Sequence, residues 1–514
     1  MQVLNFVMAI SPIIVVLVGI LFLKKPAMKV APVGLIWAML LAFTYFNIES
    51  HTFKETIVVL DALVWKGIKE GLKIVLMVFG AFSILNTLKR TGAIDDVKNT
   101  IARVSGKDRR VQLIVIGLQM TIFLEGAAGA GAPAAIAAPF LVALGFEPIT
   151  AIAVALLGDA TPCSWGGAGL TTINGGAALV DAGISTAALN SAMVGRIHMF
   201  GALISPFIMV GMAFGRKGYK GILPYLFYAG ITTGGVMFLL SNFVGPEVTS
   251  LGTGLISILL SMAYVKFVPI KTPEEYTYKG ATNANLKYGA FRAMSPYIYM
   301  LVMLPAVRYG VPAFVENGFA LMCTFGYIVW VDVVILICGI LGAITLGVAR
   351  KDMMETYVTT AKGIIPVLVT MASLLTVAYI MQDASTGMMS LIATSIAGLA
   401  GMMYPAAAVF IGSMGSFITG TGLASNVMFS GMHIEASGLL GINPITVFAG
   451  QNSGASLGNL ICPNNTVAAC ATVEQIGNEN KVMRKTLVAY VIVLCEYMVL
   501  ATIYTLILFP NFGM

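Results

Sequence analysis

Apolar residues fill this chain in long unbroken runs, and Lys, Arg, Asp and Glu collect in the short stretches between them. A helix needs about 20 apolar residues to cross the hydrocarbon of a bilayer. Outer-membrane strands would instead show segments of about ten residues with alternating polarity. Lipid offers the backbone no hydrogen bonds, so apolar runs of this kind cross as helices. Plain spans are predicted near 4–23, 31–48, 70–90, 187–214, 221–244, 250–268, 363–383 and 486–509. Met1–Leu23 lacks the basic start and small-residue cleavage site of a signal peptide and reads as a retained first span. Asp95–Ser105 mixes charges with Val97, Ile101 and Val104 and reads as a short interfacial helix.

Two regions break the pattern. The apolar stretch Val111–Gly145 is interrupted by a charge, repeated Gly and a Pro between Glu125 and Pro133. This predicts a re-entrant hairpin over 111–146 that enters and leaves on the cytoplasmic side. Irregular backbone survives at membrane depth only beside protein or a water-filled cavity. A broken crossing over 148–180 follows, interrupted between Gly158 and Gly167. The second half repeats these features as a hairpin over 404–440 and a broken crossing over 444–475. Gly126-x-Ala128 returns as Gly422-x-Ala424, and Pro148-Ile149-Thr150 as Pro444-Ile445-Thr446. Both lie 296 positions later (126 to 422, 148 to 444).

Only 10% of the residues are charged and mean hydropathy is +0.90, whereas soluble chains average about 25% charged. Lipid is therefore the main solvent. The net charge is +7, and most Lys and Arg collect in the clusters Lys24–Lys29, Lys89–Arg110, Arg216–Lys220, Lys266–Arg292, Arg350–Lys351 and Lys481–Lys485. Short basic loops are the signature of cytoplasmic connections rather than of nucleic-acid binding. With those loops inside, both termini lie outside and the two halves run in opposite directions. The expected fold is an all-α polytopic membrane protein of about 12 spans built as two inverted repeats. Residues 1–216 form the first repeat, 217–292 a linker helix pair with its cytoplasmic loop, and 293–514 the second. Each repeat holds about five crossings and one hairpin. Inverted repeats with broken helices characterise many secondary transporters, whose site lies at midmembrane.

The same pattern limits the chemistry. Cys163, Cys323, Cys338, Cys462, Cys470 and Cys495 have no paired spacing, which argues against disulfides and zinc. GxxxxGK[ST] is absent, which argues against an ATP-driven pump. There is no nucleophile–base constellation of an enzyme, no channel filter repeat and no sign of a cofactor. An intramembrane carboxylate is functional by default, so Glu125 and Asp159 are candidates for proton coupling, with Na+ ligation open for Asp159. Unwound helices and helix N-termini suit an anion. The expected substrate cradle takes Gly126, Ala127, Thr161 and Ser164 from the first half. The second half supplies Thr419, Thr421, Ser425 and Asn426 at the tip, with Gln451, Asn452, Ser453, Asn464 and Asn465 in the broken crossing. Arg196 is placed either to clamp a carboxylate or to pair with Glu496. His198 reads as the only histidine well inside a span, suited to packing or to a proton relay. His433 is assigned no role.

Leu124–Ile136 (LEGAAGAGAPAAI), Gly415–Gly420 (GSFITG) with Ser425-Asn426, and Gly458–Asn464 (GNLICPN) resemble the signature of the bacterial L-lactate permease family. The similarity extends over most of the chain, and the first motif is specific. It implies a proton-coupled symporter of lactate, glycolate or similar 2-hydroxy monocarboxylates in the inner membrane, with elevator-type movement. The partners are then a small organic anion, H+ (or Na+) and the bilayer, with homodimerisation left open. The chain departs from the family pattern at Ala130, at Gly422 where the family carries Asp, at Asp159-Ala-Thr-Pro162 and at Cys462-Pro-Asn464. Charge has moved from the second tip to the first broken crossing. A Na+-coupled carrier of another organic anion is the alternative.

Overall fold

A computed structural model of the chain describes residues 2–23, 25–46, 53–96, 106–127, 132–278, 287–310, 330–383 and 385–513. Most of the interfacial helix expected over Asp95–Ser105, the first hairpin tip at 128–131, the centre of the 271–292 loop and Cys323 lie outside the described residues. Among the described residues the fold is helical, and the one β-type contact is an isolated bridge between Asp108 and Thr277. Among the described residues six helices are long and apolar enough to cross a membrane, or seven if the bent helix over 350–381 counts as one span.

The chain opens with α1 (Gln2–Leu17), α2 (Ala27–Thr44) and α3 (Phe53–Thr91). The span expected near 70–90 is thus the second part of a 39-residue helix. Its first part carries Glu55, Asp61, Lys66 and Lys69, long and charged residues that continue a helix without being able to sit in lipid. Its partner α15 (Arg350–Gln382) likewise begins well before the expected 363. The two helices cross at Gly67 and Gly71 of α3. A Cβ at Gly71 would stand 3.0 Å from the Ala372 amide nitrogen, and one at Gly67 would strike Thr376. Small residues let membrane helices approach to backbone contact, where dispersion is the main attraction.

The two regions expected to form hairpins contain paired helices among the described residues. The first has α4 (Arg109–Ile114), a π-helical stretch Val115–Met120 and α5 (Thr121–Ala127) as one arm, with α6 (Ala132–Ala143) as the other. The second has α17 (Tyr404–Thr419) and α18 (Gly422–Leu440), turning at Gly420 with φ +81°. That left-handed conformation is open to glycine without a Cβ penalty. Thr421 caps α18 by accepting from the Ala424 amide at 3.2 Å.

Each hairpin leads into a broken helix with the same start. In α7 (Pro148–Ala160), Glu147 accepts from the Ile149 and Thr150 amides at 3.1 and 2.7 Å. In α19 (Pro444–Gly458), Asn443 accepts from the Ile445 and Thr446 amides at 2.9 and 3.4 Å. An acceptor at the cap followed by Pro at the first helical position suits a helix N-terminus twice over. After α7 come a 3-10 turn Cys163–Trp165, α8 (Gly166–Ile173) and α9 (Ala177–Asp181), and after α19 comes α20 (Pro463–Thr472).

The long helices α10 (Ala187–Phe214), α11 (Leu223–Phe243) and α12 (Pro246–Phe267) pack in sequence. α12 lies directly against α5 and α8. Gln119 donates to Ser261 at 2.7 Å and Ser250 to the Ile122 carbonyl at 2.7 Å. The remaining elements are α13 (Ala290–Pro305), α14 (Trp330–Thr345), α16 (Met388–Ala400) and α21 (Glu479–Ile503). Outward residues such as Phe227, Ile231, Leu239, Leu255 and Leu259 are exposed apolar side chains on the long helices. A continuous belt of this kind suits lipid and not water.

At one end of the molecule Arg110 is fully buried. It pairs with Asp108 at 2.6 Å and donates to the Gly218 and Lys220 carbonyls at 3.0 and 2.7 Å. Thr272 also donates to Asp108 at 2.9 Å, and Tyr276 lies over the guanidinium at 4.7 Å. The clamp fastens the first hairpin to the loops at the outer ends of α10 and α12.

Candidate functional site

The broken helices meet in the interior. Glu125 in α5 and Asp159 at the end of α7 are each 1% exposed. Their carboxyls are near neighbours in the interior, with the Cys163 thiol beside them. Neither forms an ion pair among the described residues, and Glu125 Oε2 and Asp159 Oδ1 have no donor. A Cβ at Gly166 would strike Glu125 Oε1, so the carboxyl rests against bare backbone at the first residue of α8. Asn459 donates to Cys163 Sγ at 2.7 Å, and the Gly422 amide of the second tip faces the same sulfur.

Two contacts join residues 296 positions apart. Ser456 donates to the Ala160 carbonyl at 2.6 Å, and Asn459 meets Cys163. The Ser164 amide also donates to Ser456 Oγ at 3.1 Å.

A continuous chain of hydrogen bonds runs from the second hairpin to the first half. His433 donates from Nε2 to Gln451 Oε1 at 2.8 Å, and Tyr404 is 2.7 Å from its Nδ1. Gln451 donates to Ser425 Oγ at 3.1 Å, and Ser425 to the Gly412 carbonyl at 2.8 Å. Asn426, 3.4 Å from the Gln451 amide, donates to Asn452 Oδ1 at 2.9 Å and to the Thr171 carbonyl at 3.2 Å. Asn452 donates to Thr172 at 2.8 Å, and Thr172 to the Ser164 carbonyl at 2.6 Å. Ser164 Oγ is 2.9 Å from His198 Nε2, whose Nδ1 donates to the Thr161 carbonyl at 2.8 Å. Tyr497 and Trp165 flank that imidazole at ring distances of 5.2 and 5.1 Å. Thr161 itself back-bonds to Leu157 at 2.8 Å. Both histidines are thus satisfied as neutral rings.

The expected substrate residues divide accordingly. Ser164, Ser425, Asn426, Gln451 and Asn452 belong to this network. Thr419 and Thr421 bond each other across the tip at 2.9 Å. Asn465 donates to the Asn459 carbonyl at 3.4 Å. Ser453 Oγ, Asn464 Oδ1 and Thr466 Oγ1 are buried without partners. A Cβ at Gly126 would strike the Leu251 backbone of α12, so this glycine packs against a helix. Ala127 ends α5.

Arg196 does not make the expected pair with Glu496. Its guanidinium bonds the Ala192 carbonyl at 2.7 Å and Asn242 of α11, and lies 5.0 Å from the Phe512 ring centre. No ion pair joins it to Glu496, whose Oε2 is buried without a partner. One turn of helix decides which neighbour an arginine meets, and α10 turns this one toward α11. His433, assigned no role from the sequence, is fully buried inside α18. The sequence signal for it was a polar ring within an apolar helix. Tyr404, Tyr497, Thr172 and Ser456 were also missed. Of these, Ser456 was signalled by the repeat, since it lies 296 positions after Ala160.

The described residues contain no group of three or more His, Cys, Asp or Glu side chains able to hold a metal ion. The described cysteines are free.

A family model described as L-lactate permease matches residues 5–323 and 313–509. An L-lactate permease of Bacillus subtilis is 26% identical over 452 residues, covering 77% of this chain and 78% of the relative. The glycolate permease GlcA of Escherichia coli is 24% identical over 532 residues, covering 94% and 92%. Among solved structures, the YdaH transporter of Alcanivorax borkumensis aligns at a TM-score of 0.37 with 14% identity, covering 92% of this chain and 98% of that one. With the family match spanning nearly the whole chain and apolar helices throughout, this is a multi-pass membrane transporter and not an enzyme, and it belongs to the L-lactate permease family.

Proposed function

We propose that the chain is a secondary active transporter that carries lactate, or a similar small 2-hydroxy monocarboxylate, together with a proton across the inner membrane. The observation that carries this reading is the buried Glu125–Asp159 pair. Two carboxylates in contact without a cation repel strongly, and a shared proton removes that repulsion. The pair is therefore a proton site inside the membrane, one turn from the Ser164–Asn452 contact between the halves. An anion that binds only when the pair is protonated crosses with a neutralised site, and each partner then biases the same conformational equilibrium.

The architecture proposed with it is a pair of inverted repeats, 1–216 and 293–514, around the linker 217–292. It has about 12 spans, with both termini outside. The matching starts of α7 and α19 support the repeat, as do contacts between positions 296 apart, which fall where a two-fold axis would bring equivalents together. The hairpins and broken helices, joined by the relay through Gln451 and Asn452, would move as one elevator-like body against α1, α3 and α15.

Uptake of labelled lactate into proteoliposomes, under separately imposed pH and Na+ gradients, tests the reading. An inward proton gradient alone should drive accumulation. Accumulation under Na+ alone transfers the coupling to Na+. No lactate uptake under either gradient, by folded protein, removes lactate as the substrate.

A further inference from the structure

A narrow cleft of about 30 Å³ lies where the second hairpin and α20 meet α1 and α15. Ile13 and Val16 of α1, Leu374 and Val377 of α15 and Phe417 of α17 form its apolar wall. Asn464, only 3% exposed, supplies its polar end, and its Oδ1 has no partner.

Asn464 stands at the N-terminus of α20, directly after Pro463. Cys462 gives that terminus no oxygen cap, and the Asn464 and Asn465 amides face its thiol, a weak acceptor. A buried helix N-terminus ordinarily has its amides satisfied by a side-chain oxygen, water or a ligand. Its partial positive charge favours an anion. Across the tip, a Cβ at Gly420 would stand 2.7 Å from Asn464 Nδ2, so the hairpin turn closes over this amide. An orphaned amide oxygen accepts a hydroxyl proton, backbone amides held only by a weak thiol acceptor can donate to a carboxylate instead, and an aliphatic wall takes a hydrocarbon group. Those are the three parts of a small 2-hydroxy acid.

We infer that this cleft is the substrate subsite. The carboxylate lies at the start of α20, the 2-hydroxyl donates to Asn464 Oδ1, and the group on C2 points at the wall formed by α1 and α15. The inference rests on the 2-hydroxy acid reading and adds to it the residues that set chain length. None of Ile13, Val16, Leu374 and Val377 is polar or belongs to a hairpin or broken helix, so they carry no signal of a site in the sequence. The cleft is narrow in this conformation, and a bound acid would hold α1 and α15 apart from the tip.

The test is competition between acids in proteoliposomes, where glycolate, lactate and 2-hydroxybutyrate differ by one carbon each. One methylene in an apolar pocket is worth about 10–200-fold in selectivity. Leu374→Ala should raise the 2-hydroxybutyrate-to-lactate uptake ratio by about tenfold or more, and Val377→Phe should lower the lactate-to-glycolate ratio by a similar factor. If Val377→Phe does not fold, Ile13→Ala, which only removes volume, should move the first ratio in the same direction as Leu374→Ala. Ratios unchanged in every folded variant, with uptake retained, overturn the subsite while leaving the 2-hydroxy acid reading in place. No uptake of any of the three acids by the wild-type protein overturns that reading itself.

Discussion

Glu125→Gln keeps the side chain's shape and removes its charge. In the wild type, Glu125 and Asp159 are neighbouring carboxyls, each 1% exposed and without an ion-pair partner among the described residues. Two carboxylates about 4 Å apart, at an effective dielectric constant of about 20, repel by about 4 kcal/mol. That is nearly a thousandfold preference for keeping one proton between them. A Gln amide donates to Asp159 as the shared proton does, so the contact survives and only its release is lost. Purified Glu125→Gln should therefore melt no lower than the wild type. Lactate accumulation driven by a pH gradient should fall at least about tenfold, well within the factor set by the repulsion. Exchange of internal for external lactate needs no net proton release and should continue. Asp159→Asn should behave alike. Full gradient-driven accumulation in both variants would refute the assignment of the proton to this pair.

Arg110→Ala leaves Asp108 buried beside Thr272 without its cation. Breaking a buried pair from one side costs about 3–5 kcal/mol, read as a lower thermal midpoint in detergent. His433→Ala orphans both Tyr404 Oη and Gln451 Oε1, at about 1–3 kcal/mol each; His433→Gln, which can restore one bond, should recover part of that loss. At Glu147, burial pushes the carboxyl up. The Thr150 hydroxyl, the Thr150 and Ile149 amides and nearby Lys485 outweigh this and hold it below the usual carboxylate range. A lowered value stabilises the fold above the ordinary carboxylate pKa and loses that stabilisation as pH falls through the lowered one. Glu147→Ala should thus cost about 1 kcal/mol near neutral pH, and melting curves of variant and wild type should converge in acid.

The breaks in the helices after Pro148 and Pro444 were legible because Gly, Pro and charge cannot hide in an apolar run. Pro148 and Pro444 marked two helix starts that the structure caps in the same way. Composition and span spacing were enough for the membrane class. The lengths of α3 and α15 were not legible, since hydropathy registers only the apolar part of a helix and their charged ends remain helical. Partner choice was not legible either. A sequence places Arg196 in a span but not on a face, and Asn242 of α11, not Glu496, turned out to be its neighbour. His433 was visible as a residue and invisible as a link, because Gln451 meets it only after α18 folds back against α19.

The relay also changes which polar residues can serve a substrate. It ends at the Ser164 carbonyl, which can only accept, so Thr172 must donate there and accept from Asn452. Asn452 is thereby oriented with its oxygen toward Asn426. At the other end, Gln451 Oε1 fixes the His433 proton on Nε2 and leaves Nδ1 to accept from Tyr404. Side chains whose donors are already committed hold helices together, and breaking those bonds to greet a ligand would leave buried groups unpaired. The free capacity lies elsewhere, at Ser453 Oγ, Asn464 Oδ1, Thr466 Oγ1 and the Glu125–Asp159 oxygens. Of the polar residues that the sequence marks for the cradle, Gln451, Asn452, Asn426 and Ser425 already have their hydrogen bonds committed to one another and to neighbouring helices, and under the proposed subsite the ligand's hydrogen bonds would fall to the start of α20.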